Sequence, residues 1–115
     1  MKKDKTKQRY ARFISDSVAS VKHKILSTDN IQWEFTILLK NNSYEKIFIN
    51  DIVLECNCIK YKLEKKPFTF NETKKLIFLY LQNKNNYYFN KNIVIIMNNG
   101  KYFYNINLKQ SELDK

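Results

Sequence analysis

Cys56 and Cys58, separated only by Asn57, close an apolar run and are the one place where residue type and spacing together suggest chemistry. In extended backbone, residues i and i+2 project to one face about 6.6 Å apart at the α-carbons, the outer limit for a disulfide unless the chain bends. Three readings stand. Two reduced thiols can pack as small, buried, apolar-like side chains. A 56–58 disulfide would be labile and open to redox exchange. A soft-metal site, copper(I) above all, would use both sulfurs with Met97 as an extra ligand. Tetrahedral zinc fits worst, because it needs four ligands and His23 is the sole histidine.

That shortage also limits catalysis. His23 lies between Lys22 and Lys24 and reads as a surface imidazole rather than a general base. No Ser-His or Cys-His couple can form without it, and no nucleophile elbow or paired-carboxylate motif stands out. Asp51, Glu55, Glu64 and Glu72 read as turn and solvent-face residues, so no catalytic set, resident metal or cofactor is expected.

A second candidate is Tyr87-Tyr88-Phe89, set between Asn-rich turns where a core cannot easily consume all three rings. Aromatics left at a loop or strand edge serve interaction surfaces, and the partner expected for them is a protein or a glycan. Asn41-Asn42-Ser43 and Asn71-Glu72-Thr73 match the glycosylation sequon, but chance matches are expected in so Asn-rich a chain.

The formal net charge of +10 invites a nucleic-acid or anionic-membrane reading. Against it, only Arg9 and Arg12 are arginine, and the lysines are scattered along the chain. An A/T-rich genome inflates Lys, Asn, Ile, Tyr and Phe together, so no specific nucleic-acid partner is expected. The start, Met1 to Lys7, is basic, but Arg12, Asp16 and several serines interrupt the next stretch, so no signal-peptide core is present. No apolar run approaches the roughly 18 residues of a membrane span.

These residues must be carried by one domain, since 115 residues build one core and the only Gly and Pro are Gly100 and Pro67. From Val21 onward, short apolar segments are punctuated by turn signals at about 8 to 12 residues, the spacing of a sandwich. Trp33, Phe35, Ile37 and Leu39 form a period-two stripe that belongs in the core. Between Lys46 and Cys58 the apolar parity changes near Asn50-Asp51, which predicts a bulge or a switch of sheet. The runs Lys74 to Leu81 and Ile93 to Met97 are apolar on both faces and read as central strands. Asn99-Gly100, before the alternating Tyr102, Tyr104, Ile106 and Leu108, predicts a type I′ hairpin. With Val21 to Leu26 as first strand, the expectation is an all-β, immunoglobulin-like sandwich of about seven antiparallel strands. Residues 1–17 form a basic N-terminal arm or a short helix, since Tyr10, Phe13, Ile14 and Ser17 share a face. The sandwich covers 18–110, and 111–115 form a tail.

The order of features from Trp33 to Leu108 resembles the bacterial domain of unknown function 1573, a sandwich related to Hydin and major sperm protein domains. The resemblance rests on Trp33-Glu34-Phe35 leading to Asn41-Asn42, then Ile52 to Cys58 in place of the family's strand into Cys-Gly-Cys. Pro67 with Asn71-Glu72-Thr73, Leu76-Ile77-Phe78, Tyr88 to Lys91 and Ile93 to Asn99 come next, in that order. Asn57 stands for the middle glycine, Ile59 for a usual threonine, and Phe70-Asn71 for a Pro-Gly turn; the opening glycine has no counterpart. Asn is the best substitute where glycine served a left-handed turn. The resemblance implies an exported periplasmic or cell-surface protein of a Bacteroidetes-type bacterium, lipid-anchored if a leader has been removed, with no known enzymatic activity. The expected function is a non-enzymatic interaction module. The alternative is a thiol or soft-metal protein working through Cys56 and Cys58.

Overall fold

The computed structural model describes residues 9–83 and 90–109. Its strands are β1 (Arg9–Tyr10), β2 (Ile14–Ile25), β3 (Asn30–Asn41), β4 (Ile49–Leu54), β5 (Ile59–Leu63), β6 (Thr73–Asn83), β7 (Asn90–Met97) and β8 (Tyr102–Lys109). They form two four-stranded sheets, in the orders β1-β8-β7-β4 and β2-β3-β6-β5. Labelled A-B-E-D on one side and G-F-C on the other, this is the immunoglobulin arrangement. The expected sandwich of about seven antiparallel strands is present, and the two-residue β1, parallel to β8, brings the number to eight among the described residues.

The period-two stripe supplies one wall of the core: Phe35, Ile37 and Leu39 are buried and Trp33 half-buried. Leu76, Phe78 and Tyr80 join them from β6, while Ile93, Ile95, Met97, Tyr104, Ile106 and Leu108 close the core from the other sheet. Both strands read as central are central, β6 between β3 and β5 and β7 between β8 and β4.

The parity change resolves as a bulge. Ile49 faces Met97 and Asp51 faces Ile96, which leaves Asn50 as the extra residue. The change of sheet comes later, between β4 and β5, where Glu55 to Cys58 carry the chain across.

Asn98, Asn99 and Gly100 all have positive φ, and the Gly100 and Lys101 N–H groups donate to the Met97 and Asn98 carbonyls. Two overlapping turns therefore close the β7–β8 hairpin, the first centred on Asn98-Asn99 rather than on Asn99-Gly100. Asn71 has φ 69°, so it does take the left-handed role of a glycine. Asn57 is not among the positive-φ residues, so no left-handed turn is needed there.

The start of the domain differs from expectation. Residues 9 and 10 pair with Tyr102 and Phe103, and β2 begins at Ile14, so the region weighed as a short helix is extended. Ala11, fully buried, and the turn at Arg12-Phe13 take the chain from one sheet to the other. The serines and Asp16 masked this strand because β2 is an edge, where exposed polar residues and a bulge between Val18 and Ser20 discourage pairing with another chain.

Candidate functional site

Cys56 and Cys58 are joined in a disulfide, with α-carbons 5.2 Å apart. The chain bends at this crossover and brings the α-carbons within bridging range. This replaces the reading of two reduced, buried thiols. Both residues are half-buried and pack against the core margin. The Cys58 carbonyl accepts the Leu81 N–H at 2.9 Å, and Glu55 Oε1 accepts the Asn92 N–H at 2.8 Å, so each end of the turn is tied to a different sheet.

The metal reading finds no support in the donor set. No cluster of three or more His, Cys, Asp or Glu side chains fit to hold a metal occurs among the described residues. Met97 pairs with Ile49 at the far end of β4, seven residues before Cys56 and roughly 20 Å away along the strand. His23 lies on β2, three strand spacings or roughly 14 Å from β5, and its ring sits 5.0 Å from that of Trp33.

The groups with displaced proton affinities are engaged in holding the sandwich together. The Tyr104 phenol donates to the Asp16 carboxylate across the two sheets, and burial together with that bond raises its pKa. Glu45 accepts the Tyr102 hydroxyl at 2.6 Å and pairs with Lys101 at 3.4 Å, and the Tyr102 bond is the main reason its pKa is lowered. Lys74 faces inward, donates to the Glu64 and Lys66 carbonyls, and has its pKa lowered by burial. Asn41 is fully buried; its Nδ2 donates to the Glu45 and Phe68 carbonyls while its Oδ1 accepts from Ser43. A sequon asparagine so occupied is a structural residue.

The outer face of β1-β8-β7-β4 has a different character. Tyr10, Phe103 and Ile96 stand in one row across the sheet, and Asn105, Val94 and Val53 in the next. Tyr10 is 42% exposed and Val53 49%, with Phe103, Val94 and Ile96 half-buried between them. A carboxamide border lies beyond them, in which Asn107 Nδ2 donates to the Oδ1 atoms of Asn90 and Asn92. Beside β1, both arginines of the chain, Arg9 and Arg12, line an open cleft of about 570 Å³ with Tyr10, Phe13 and Tyr102. β1 covers only the first two residues of β8, so Tyr104–Lys109 present a free edge among the described residues.

This surface was missed in the sequence, although a signal was present. The run Ile93 to Met97 is apolar on both parities, and a sheet with one face in the core leaves the other, Val94 and Ile96, outside. Tyr87, Tyr88 and Phe89, the interaction candidates from the sequence, lie outside the described residues.

Fold and site together define an immunoglobulin-like β-sandwich with a disulfide at the crossover between its sheets. The chain belongs to the family described as protein of unknown function DUF1573, whose model matches residues 17–111. No curated protein and no solved structure matches it.

Proposed function

We propose that this chain is a non-enzymatic, extracytoplasmic module that binds a protein through the outer face of β1-β8-β7-β4. The observation that carries the reading is the gathering of Tyr10, Phe103, Ile96, Val94 and Val53 on that face, with Arg9 and Arg12 in the cleft at its β1 edge. An apolar centre bordered by hydrogen-bonding groups is the anatomy of a protein interface, and Tyr and Arg are the residues that dominate its energetics. Tyr10 already stacks on Tyr104 and meets Phe103 edge-on, which leaves these rings poorly placed to stack on a sugar and favours a protein over a glycan. The free edge of β8 adds a place where an extended segment could pair. Disulfides persist in oxidising surroundings, and the Cys56–Cys58 bond supports a place outside the cytoplasm.

The test is affinity capture from the envelope fraction of the producing cell with the wild type and Val94→Lys in parallel. A discrete protein recovered by the wild type and lost by the variant is expected. The same recovery with both, or turnover by the purified domain in a broad hydrolase and oxidoreductase screen, contradicts the reading.

The second reading, thiol handling through Cys56 and Cys58, is favoured by the position of the disulfide. It lines an open surface depression with Leu54, Glu55 and Asn57 on one side and a smaller one with Leu26, Leu79 and Leu81 on the other. Exchange with glutathione in a thiol titration supports it. A bond inert until the protein unfolds removes it.

A further inference from the structure

The lysines that look scattered in the sequence converge in the structure. Strand pairing places Lys22 and Lys24 of β2, Lys40 of β3, Lys60 and Lys62 of β5 and Lys75 of β6 at outward positions on sheet β2-β3-β6-β5. All are exposed, and the strands put only one carboxylate, Glu34, on that face. Down its middle run Leu81, Leu79, Ile77 and Leu38, an aliphatic stripe whose flanking rows are Lys22–Glu34–Leu79–Lys60 and Ser20–Thr36–Ile77–Lys62. At the disulfide end the stripe opens into a depression of about 200 Å³, where Leu26 and Leu81, each 47% exposed, meet Cys58. The opposite sheet places only Lys109 outward, with Asp51 and Glu55 on the β4 side.

We infer that this second face docks on an anionic lipid bilayer. Lysine is a flexible point charge whose aliphatic stem can lie along apolar surface while its ammonium reaches outward. Juxtamembrane lysines are drawn to anionic headgroups, and exposed leucines at the same level enter the boundary with the acyl region. A nucleic acid would want arginine for bidentate contacts and aromatic rings for base stacking, and this face has neither. A protein interface draws its strongest contacts from Trp, Tyr and Arg, which do not point outward on this face, whereas Tyr10 does on the opposite one. The depression is smaller than the roughly 300 to 1,000 Å³ of small-molecule sites, so the face acts as a surface. Docking by this face would leave the β1-β8-β7-β4 side turned away from the membrane.

The test is co-sedimentation of the full chain with vesicles of phosphatidylcholine alone and of equimolar phosphatidylcholine and phosphatidylglycerol, over a salt series. Binding to the anionic vesicles only, weakening with salt, is expected. The pair Lys60→Gln/Lys62→Gln should lower it at least tenfold, at roughly fivefold per lysine. Leu81→Asp should lower it as well, with thermal unfolding checked to exclude misfolding. The control pair Lys46→Gln/Lys109→Gln removes the same charge elsewhere and should cost little. Equal losses from both pairs would show a diffuse net-charge effect and overturn the inference. So would equal binding to neutral vesicles, no binding, or a loss at Lys60 and Lys62 seen only with a random DNA duplex.

Discussion

Tyr104 of β8 donates its phenolic proton to the Asp16 carboxylate of β2, a side-chain hydrogen bond that links the two sheets. Tyr104→Phe keeps the ring and removes the bond. Because Asp16 is exposed and can be rehydrated, the expected cost is about 1–1.5 kcal/mol in urea unfolding, nearer that of an ordinary hydrogen bond than of one to a buried charged group.

The buried tyrosines also bear on stability at alkaline pH. Burial and Asp16 raise the Tyr104 pKa above its ordinary value of 10.0, and burial raises that of Tyr80. The folded state therefore holds these protons after the unfolded chain has released them. Their contribution is complete below about pH 10 and is lost as pH rises through the folded values. Unfolding midpoints measured from pH 8 to 11 should fall more steeply for the wild type than for Tyr104→Phe.

At the acid end, Glu45 has the opposite sign. Its pKa is lowered from 4.5, mainly by the Tyr102 hydroxyl, against the opposing effect of burial, with further lowering from Lys101 and Asn98. Its contribution is present above that pH and is lost as pH falls through the folded value. Glu45→Gln should start less stable at neutral pH and lose less than the wild type between about pH 5 and 3.

Asn41 is the most heavily bonded buried side chain outside the titrating groups. Asn41→Ala removes the bonds to the Glu45 carbonyl and the Ser43 N–H and leaves the Phe68 carbonyl with the Ile47 N–H alone, at an expected cost of about 2–3 kcal/mol in urea unfolding. Asn41→Asp should not rescue it, since a carboxylate would face those carbonyls.

The disulfide closes too short a loop to be a major staple. By loop-closure entropy, three residues are worth about 1.6 kcal/mol. Cys56→Ser/Cys58→Ser should remain folded by circular dichroism, with Tm lower by roughly 5–10 °C. Loss of the fold would assign the bond a larger structural role.

Where local pattern carries the information, the sequence was legible. The parity of Trp33, Phe35, Ile37 and Leu39 located a core strand, the change at Asn50-Asp51 located a bulge, and Asn99-Gly100 located a hairpin whose first turn falls one residue earlier. Edges were not legible, because β1 and the first half of β2 are short or polar and owe their conformation to Phe103 and to β3, far off in sequence. Sites built by register were hidden too. Lys22 and Lys60 share a row only because β3 and β6 lie between them, and Tyr10 joins Phe103 and Ile96 only through two strand pairings. No local periodicity encodes that.

Binding through the outer face of β1-β8-β7-β4 is tested most directly by a photo-crosslinking residue placed singly at Val53, Val94 and, as control, Ser17 on the other sheet, in the producing cell. The expected result is one discrete protein adduct from Val53 and Val94 and none from Ser17. Adducts from all three alike, or from Ser17 alone, would contradict it.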